Sequence, residues 1–461
     1  MAASFSVKRK GRVYTPDFLV KIVLDFGGYR GPKILQKHVM DNSCGDGAFL
    51  VEIVRRYCDA FRRIEARGLG KDLETFIHGI EIDSEECKKT KSNLDAVARE
   101  FGVDSVNWDI RCADTLSCFS DYHSKMDFVF GNPPYVRIHN LAVANDVKKI
   151  SFSRKGMTDL FIAFFEIGFD MLSANGTMAL ITPSSWLNSF SGENLRAYIR
   201  ESGSLDGLMD LEHFQPFDAM TYTVVSRFVK KKRMRKIAYF TLSGKDKPKF
   251  VDNLFLEDLD IGKCFYLASR DELRKLRKIL ENSRRANIQV KNGFATLADN
   301  LFIRPIDCEN KLELIKASTG KWKRCIFPYD SKGTPIPFEK LGMKSKKYFR
   351  EHRDDFSSNG DGDWYLFGRS QGLKDVCKDK IAINSIVKDV DSIKLNFVPA
   401  GKGVYGGLYI VGMNSFEEIQ NVVCCDDFIR YVKALKKYKS GGYYTFSSKD
   451  LQKYLTFKLG I

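Results

Sequence analysis

The tetrapeptide Asn132-Pro133-Pro134-Tyr135 follows an apolar run and combines a carboxamide, two rigid rings and an aromatic ring. The Asn132 side-chain oxygen and the Pro133 carbonyl are hydrogen-bond acceptors, and neither proline has an N–H that competes for them. Two acceptors that converge on one amino group would direct the lone pair of its nitrogen outwards, while the Tyr135 ring offers a face for the attached ring. The pattern predicts chemistry on the amino group of a purine, a pyrimidine or an amide. A rigid turn after a strand is the structural alternative.

Three acidic residues precede this loop, each near the predicted end of a strand: Asp41, Glu81 and Asp114. The first is followed by a turn that contains Gly45 and Gly47, where the missing Cβ atoms let a ligand approach the backbone closely. Open α/β sheets bind ligands at the carboxyl ends of their strands, so these residues predict a nucleotide-type site at one edge of a doubly wound sheet. An acid after a strand is also common as a helix cap, so no single residue decides the prediction.

The composition is that of a globular protein with a polyanionic partner. The chain has 461 residues, enough for two domains, and a formal net charge of +16 at pH 7. Residues 1–239 carry a net charge of +4 and residues 240–461 one of +12. The 11 cysteines are scattered and the 6 histidines show no ligand spacing, so we expect a reducing compartment and no metal. No apolar run suits a membrane span or a secretory signal, which predicts a cytosolic protein without membrane contact.

The order of these segments resembles the γ-class amino-methyltransferases, the N6-adenine DNA methyltransferases of restriction–modification systems. The resemblance covers about residues 10–235 and rests on Gly11-Arg-Val-Tyr-Thr-Pro16, Asp41-Asn-Ser-Cys-Gly-Asp-Gly-Ala-Phe-Leu50, Gly79-Ile-Glu-Ile-Asp83, Ala113-Asp114, Gly131-Asn-Pro-Pro-Tyr135 and Thr182-Pro-Ser-Ser-Trp-Leu187. The Asn-Pro-Pro-Tyr segment is shared with protein and RNA methylases, whereas residues 11–16 are more specific for DNA enzymes of this class.

The resemblance implies S-adenosyl-L-methionine as methyl donor and transfer to the N6 amino group of an adenine flipped out of double-stranded DNA. The implied cofactor-binding residues are Thr15, Asp41, Ser43 and Gly45 at the methionine end, Glu81 at the ribose hydroxyls, Ile82 against the adenine, Asp114 at its amino group, and Asn132. The implied catalytic residues are Asn132 and Pro133, which would hold the target amino group, and Tyr135 and Phe217, which would stack on the two faces of the base. Phe214 is the alternative to Phe217, because the spacing to the late strand does not settle the choice.

Two domains are predicted. Residues 1–236 are expected to form the S-adenosylmethionine-binding catalytic domain, a doubly wound Rossmann-like α/β fold. Residues 237–461 are expected to form a mixed α+β target-recognition domain, in which basic side chains would contact phosphates and a few others would read bases. We expect a monomer, and the resemblance allows for a cognate restriction endonuclease that acts on the same site.

Other functions stay open on the sequence alone. A protein methylase that modifies a glutamine amide would use the same tetrapeptide, but the basic C-terminal half and the segment around Thr15 argue against it. A basic domain does not exclude an RNA adenine methylase. A DNA-binding protein on a decayed methylase scaffold is disfavoured, because the acidic residues and the tetrapeptide are all intact. We expect no fused nuclease, since the C-terminal half shows no convincing acidic cluster.

Overall fold

A computed structural model describes residues 14–64, 67–138, 144–217, 221–230, 236–305, 307–356, 364–369, 371–412 and 415–460. The chain folds into two compact units, Met1–Arg274 and Lys275–Ile461. Residues 11–13, which begin the predicted motif upstream of the first strand, lie outside the described residues. Most of the basic run at 230–236 does so as well.

The first unit is built on a sheet of nine strands within the described residues, in the order β3-β2-β1-β4-β5-β7-β6-β8-β9. The strands are β1 Val39–Asp41, β2 Ile77–Glu81, β3 Asp109–Cys112, β4 Met126–Gly131, β5 Leu172–Pro183, β6 Leu205–Asp210, β7 Thr223–Val229, β8 Ile237–Thr241 and β9 Lys249–Leu254. Strands β3, β2, β1, β4 and β5 are parallel to one another, and β7 runs antiparallel to both β5 and β6. A predominantly parallel sheet of this kind needs helical crossovers between its strands.

Helices connect the strands of this sheet. Their bounds are Asp17–Phe26, Ala48–Arg62, Leu69–Phe76, Ser84–Glu100, Thr115–Cys118, Ala144–Val147, Phe161–Met171, Glu193–Ser202, Leu256–Leu259 and Arg270–Leu280, the last of which crosses into the second unit. Asp83 begins the longest of them, because its side chain accepts the N–H groups of Glu85 and Glu86 as an N-cap. Within the ranges described, no helix has both the length and the apolar character needed to cross a bilayer.

The sheet is covered on both faces because its central strands carry apolar residues on both sides. On one face Gly27, at the end of the helix Asp17–Phe26, packs against Phe130 of β4. The neighbouring Val129 faces the other way, where Gly168 of the helix Phe161–Met171 packs against it and against Met178. Helices on both faces of a mostly parallel sheet are the doubly wound arrangement, so this part of the predicted fold class is confirmed.

The first unit extends beyond the predicted boundary at residue 236. Strand β8 pairs in parallel with β6, and β9 pairs with β8 in antiparallel register. Backbone hydrogen bonds to the existing sheet therefore place residues 237–254 in the first unit, and the short antiparallel strands β10 Asp260–Ile261 and β11 Cys264–Phe265 follow them there. The predicted domain boundary at residue 236 therefore lies inside the first compact unit, which ends at Arg274.

The second unit is a mixed α+β fold, as expected, with three small sheets among its described residues. Its strands are β12 Ile288–Asn292, β13 Lys311–Lys316, β14 Lys321–Ile326, β15 Lys380–Ile383, β16 Ile386–Val387, β17 Leu395–Val398, β18 Gly403–Tyr405, β19 Leu408–Gly412, β20 Tyr438–Lys439 and β21 Tyr443–Thr445. They pair in the orders β12-β19-β15-β17, β14-β13-β18 and β16-β21-β20. Its helices are Asp299–Phe302, Met343–Glu351, Phe416–Val423, Asp426–Ala434 and Ser448–Leu459.

A buried acid ties three parts of the second unit together. The Asp375 carboxylate accepts hydrogen bonds from Lys291 Nζ at 2.7 Å and Tyr409 Oη at 2.9 Å, and forms an ion pair with Lys378 Nζ at 2.8 Å. Its side chain is only 5% exposed. Burial alone would raise the pKa of this carboxyl group, but the bonds from the lysines and the tyrosine outweigh it and lower the pKa to about 2.

We expect the substitution Asp375→Asn to destabilise the second unit by about 2–3 kcal/mol at pH 7, because the buried cluster loses its only negative charge. The folded pKa lies below the unfolded value, so the stabilisation is present above about pH 4 and is lost as the pH falls towards about 2. Urea unfolding at pH 7 and at pH 3, followed by hydrogen exchange in β12 and β19, measures the effect. Asp391→Asn, at an exposed position, is the control. Equal losses in both variants would contradict the prediction.

Candidate active site

The predicted site residues gather at one edge of the first sheet. Asp41 is the last residue of β1 and Glu81 the last of β2, while Asn132 follows Gly131 at the end of β4. Asp114 lies two residues beyond β3. These strands are parallel neighbours, so their carboxyl ends lie side by side and bring the four side chains to the same edge.

The Glu81 carboxylate organises the turn after β1. Its Oε2 accepts the Gly45 N–H at 2.9 Å, and its Oε1 accepts the Asp83 N–H at 2.9 Å. Thr90 Oγ1 donates to the Gly45 carbonyl at 2.7 Å. Gly45 and Gly47 have φ values of 55° and 91°, which glycine adopts without strain. A carboxylate oxygen can accept more than one hydrogen bond. Glu81 is therefore able to hold this turn and also to accept hydroxyl groups of a ligand.

The Asp41 carboxyl group is buried where β1 and β4 approach each other. A Cβ atom on Gly131 would lie 2.9 Å from Asp41 Oδ1, so the neighbouring strand has no room for a side chain. Burial raises the pKa of Asp41 to about 7, and the nearby acids Glu81 and Asp46 raise it further against a hydrogen bond from the Ser43 N–H. A cationic ligand group beside Asp41 would offset this desolvation.

Two polar side chains next to Asp41 have no hydrogen-bond partner among the described residues. They are the fully buried carboxamide of Asn42 and the Ser43 hydroxyl. A buried polar group left unsatisfied costs about 1–3 kcal/mol, so this end of β1 fits a polar ligand better than an empty site. Ser43 is among the predicted cofactor residues, whereas the sequence analysis missed Asn42. Its position directly after a strand end, inside the glycine-containing turn, was the available signal.

The remaining predicted cofactor residues border the same edge. Ile82 is 68% exposed, which leaves an apolar surface open for a flat ring beside Glu81. Asp114 accepts the Leu116 N–H at 3.0 Å and caps the helix Thr115–Cys118, so the structural role considered for this acid is present. A capping carboxylate keeps further acceptor capacity towards a ligand. In the part of the chain that the structure describes, no cluster of three His, Cys, Asp or Glu side chains is suited to a metal ion.

The Asn132 side chain is held by Thr15, a residue that is far from it in the sequence. Asn132 Nδ2 donates to Thr15 Oγ1 at 3.2 Å, and the Thr15 side chain is buried beside it. Because the amide nitrogen is engaged by Thr15, the carboxamide oxygen is turned away from that hydroxyl. Pro133 is buried next to it. The structure therefore connects two motifs that are far apart in the sequence.

The ring of Tyr135, the last residue of the Asn132–Tyr135 loop, packs against the ring of Phe217. Their ring centroids are 6.4 Å apart, and Phe161 lies 6.3 Å from Tyr135 on another side. The Tyr135 hydroxyl donates to the Ile181 carbonyl at 3.3 Å. The angle between the Tyr135 and Phe217 ring planes is 85°, an edge-to-face contact rather than the parallel pair expected around a base. One of the rings has to turn before a base can lie between them.

Phe214 occupies a different environment from Phe217. Its ring packs against Phe18 of the helix Asp17–Phe26, with the centroids 6.0 Å apart. Phe217 is 8% exposed and is one of the two aromatic partners of Tyr135 described above. The structure thus brings Phe217 into contact with Tyr135, whereas Phe214 contacts Phe18.

Comparison with known proteins relates this chain to methyltransferases. The Eco57I restriction-modification methylase family matches residues 49–217. The chain is 26% identical over 411 residues to the type II methyltransferase M.BstVI of Geobacillus stearothermophilus, an alignment that covers 77% of this chain and 72% of that protein. It is 27% identical over 241 residues to M.PaeR7I of Pseudomonas aeruginosa, covering 49% of this chain and 42% of that protein. The chain is similar in sequence to methyltransferases of restriction–modification systems, so the resemblance to that class predicted from the sequence is confirmed.

Solved structures show the same fold. The type IIL restriction-modification enzyme MmeI, solved in complex with DNA, superposes with a TM-score of 0.64 at 13% identity and covers 94% of this chain. This chain spans 63% of the MmeI chain, less than two thirds of its length. The DrdV–DNA complex gives a TM-score of 0.55 at 12% identity and covers 92% of this chain and 53% of that one. At such low identities the likeness bears on the fold alone, and it confirms the predicted fold class.

The variant Asp41→Asn tests the burial of this carboxyl group in the protein without ligand. The folded pKa of Asp41 is raised above the unfolded value, so its stabilising contribution is complete below about pH 4 and is lost as the pH rises to about 7. At pH 8 we expect the variant to be more stable than the wild type by ~1–4 kcal/mol, because the neutral amide avoids the cost of a buried charge.

Urea unfolding between pH 4 and pH 8, followed by hydrogen exchange in β1 and β4, measures this difference. The variant keeps an oxygen that accepts the Ser43 N–H, so the turn after β1 is preserved. A stability difference that stays constant across this pH range would show that Asp41 is not the titrating group.

Proposed function

We propose that this protein is a site-specific DNA methyltransferase that transfers a methyl group from S-adenosyl-L-methionine to the N6 amino group of an adenine flipped out of double-stranded DNA. The observation that supports this most directly is the Asn132 carboxamide, held by Thr15 at the end of β4 and next to the buried Asp41. The relatives named above are type II methyltransferases, and MmeI is a restriction-modification enzyme that was solved with DNA. Methylation would protect the DNA against an endonuclease that acts on the same site.

The cofactor would lie along the edge formed by β1, β2 and β3, where its sulfonium supplies an electrophilic methyl group. Asp41 would pair with the cationic amino acid end, while Asn42, Ser43 and the Gly45 backbone offer polar groups around it. Glu81 would accept the ribose hydroxyls, as carboxylates at this place in doubly wound folds do. Ile82 would pack against the adenine ring, and Asp114 would accept its amino group.

The target amino group would be held by the Asn132 side-chain oxygen and the Pro133 carbonyl. Both are acceptors, so they bind the two hydrogens of the amine and leave the nitrogen lone pair directed at the donor. Orientation of this kind accounts for much of the rate when the reaction needs only two aligned atoms. A carboxamide does not take up a proton near neutral pH, so the proton of the amine would leave to solvent.

The flipped base would be held by Tyr135 and Phe217. Flipping costs a few kcal/mol of stacking and pairing energy, which contact with two aromatic rings offsets. The edge-to-face arrangement of these rings means that the base would displace one of them on entry. The Tyr135 hydroxyl bond to Ile181 anchors one ring, so Phe217 is the ring that we expect to move.

The second unit would serve as the target-recognition domain of the proposed enzyme, together with any part of residues 237–274 that borders the DNA. Residues 240–461 carry a net charge of +12, which suits contacts to phosphates. A monomer in the cytosol fits a reader of an asymmetric site. An associated endonuclease remains part of the proposal.

Transfer of labelled methyl from S-adenosyl-L-methionine to unmethylated bacterial DNA tests this function. We expect N6-methyladenine at one sequence motif, and a loss of at least about 100-fold in rate for Asn132→Ala, because the amine is no longer oriented. Mass spectrometry of the nucleosides identifies the base, and sequencing of the product locates the motif. Label in RNA or in a protein lysate, with none in DNA, would move the assignment to one of the other methylase classes.

The two phenylalanines provide a matched pair for the base-stacking role. We expect Phe217→Ala to reduce methyl transfer by about 10-fold or more, because the flipped base loses an aromatic contact worth ~1–3 kcal/mol. Phe214→Ala removes the same side chain from the contact with Phe18 and should affect mainly stability. Transfer rates with saturating cofactor, corrected for the folded fraction, compare the two. A larger loss in Phe214→Ala would reassign the stacking residue.

Thr15 offers a test of how Asn132 is positioned. We expect Thr15→Val to slow methyl transfer by about 10-fold, because the isosteric side chain has no oxygen to accept the Asn132 amide hydrogen. Thr15→Ser keeps that oxygen and should keep most of the rate. Equilibrium binding of the cofactor, measured by calorimetry, separates this effect from weaker binding of the methionine end. Equal rates in the two variants would exclude the positioning role.

A further inference from the structure

Two large apolar side chains project into solvent from neighbouring loops of the first unit. Met157 is 80% exposed and Phe190 is 66% exposed. The loops touch, because a Cβ atom on Gly156 would lie only 3.0 Å from Phe190 Cδ1. Adjacent exposed apolar side chains of this size are typical of a surface that meets a partner. We call Met157 and Phe190 the apolar lip.

The apolar lip lies next to the Asn132–Tyr135 loop. The chain that leaves this loop pairs with the residues after Met157: the Ile138 N–H donates to the Thr158 carbonyl at 3.1 Å, and the Leu160 N–H donates to the Val136 carbonyl at 2.8 Å. Phe161, the residue after Leu160, packs against Tyr135. The lip therefore borders the place where the target base would enter.

The turn that carries Phe190 is rigid. The buried Arg196 side chain donates to the Trp186 carbonyl at 2.6 Å and to the Ser189 carbonyl at 2.9 Å. The Gly192 N–H donates to Ser189 Oγ at 3.2 Å, and Gly192 packs so closely on the Trp186 backbone that no side chain fits there. Phe190 is thus presented by a fixed turn, as a side chain that has to enter another molecule should be.

The surroundings of the lip are basic. Lys155 Nζ lies 5.9 Å from the Phe190 ring centroid and forms an ion pair with Glu193 at 2.9 Å. Arg154 and Lys148 are exposed on the same segment, and Lys149 is exposed there in an ion pair with Asp146 at 2.7 Å. Cationic side chains around an apolar tip fit the phosphates and the stacked bases of duplex DNA.

We propose that Met157 and Phe190 form a wedge that enters the base stack of duplex DNA beside the flipped nucleotide and fills the space it leaves. This rests on the proposed function and assigns to it two positioning residues. Apolar side chains that insert between base steps unstack them and open the duplex. The wedge would act on the opening of the duplex and not on the transfer of the methyl group.

The test compares the double variant Met157→Ala, Phe190→Ala with a control variant, Ile64→Ala, whose side chain is 50% exposed just beyond the helix Ala48–Arg62 and outside the proposed sites. The substrate is a duplex that contains the mapped recognition site. We expect kcat/KM on this duplex to fall at least ~10-fold in the lip variant and to be unchanged in the control, because the duplex is harder to open. On the same duplex with an abasic site opposite the target adenine, the loss should be less than ~3-fold, because that base is already unpaired.

A second readout reports the flipped base directly. With 2-aminopurine in place of the target adenine, binding of the unaltered protein should raise the fluorescence, and the lip variant should give at most about one third of that rise. Phe190→Leu, which keeps an apolar side chain, should recover part of the signal. Equal losses on the paired and the abasic duplex, or full activity of the lip variant, would overturn the wedge. Absence of methyl transfer by the unaltered protein on both duplexes would instead overturn the proposed function on which it rests.

Discussion

The close approach of β1 and β4 is the constraint on which the candidate site depends. Gly131 has no space for a side chain because Asp41 Oδ1 lies 2.9 Å from where its Cβ would be. This contact buries the Asp41 carboxyl group and brings Asn132, the residue that follows β4, to the same edge. The pKa of Asp41 is raised to about 7 by that burial, so the site without ligand carries an electrostatic cost. A cationic group that binds there would remove part of this cost.

The two units treat a buried aspartate in opposite ways. Asp375 has two lysines and a tyrosine around its carboxylate, and its pKa is lowered to about 2. Asp41 has one backbone N–H and two acidic neighbours, and its pKa is raised. The first arrangement stabilises the fold, because every oxygen is engaged. The second, together with the unpartnered carboxamide of Asn42, is what a binding site looks like when its ligand supplies the missing partners.

The aromatic part of the site is closed in this structure. Tyr135 and Phe217 meet edge to face, and the Tyr135 hydroxyl is bonded to the Ile181 carbonyl. Under the proposed function, an entering base would exchange the contact between the rings for contacts with itself, and part of the stacking energy would be spent on opening the site. The fixed turn that carries Phe190 lies at the border of this region and needs no rearrangement to face a partner.

The sequence by itself determined the order of the site residues along the chain and the edge of the sheet at which they lie. Asp41, Glu81 and Asn132 each follow a strand, and parallel strands place their carboxyl ends together, so their gathering follows from chain order alone. The structure does not describe residues 11–13, 139–143 and 218–220, so predictions that concern them stay predictions. The acids near the predicted strand ends and the glycine-containing turn after Asp41 likewise predicted a doubly wound sheet, because open α/β sheets bind ligands at that edge.

Only the tertiary structure decided the contacts between distant segments. The bond from Asn132 to Thr15 spans 117 positions, and no local pattern encodes it. Phe217 contacts Tyr135, whereas Phe214 contacts Phe18. The sequence does not distinguish the two, because they are the same residue type at nearly the same distance from the late strand. The first unit runs past residue 236 because two further strands found hydrogen-bonding partners at an open sheet edge. Local sequence sets which elements form, whereas packing and unpaired backbone groups decide where they join.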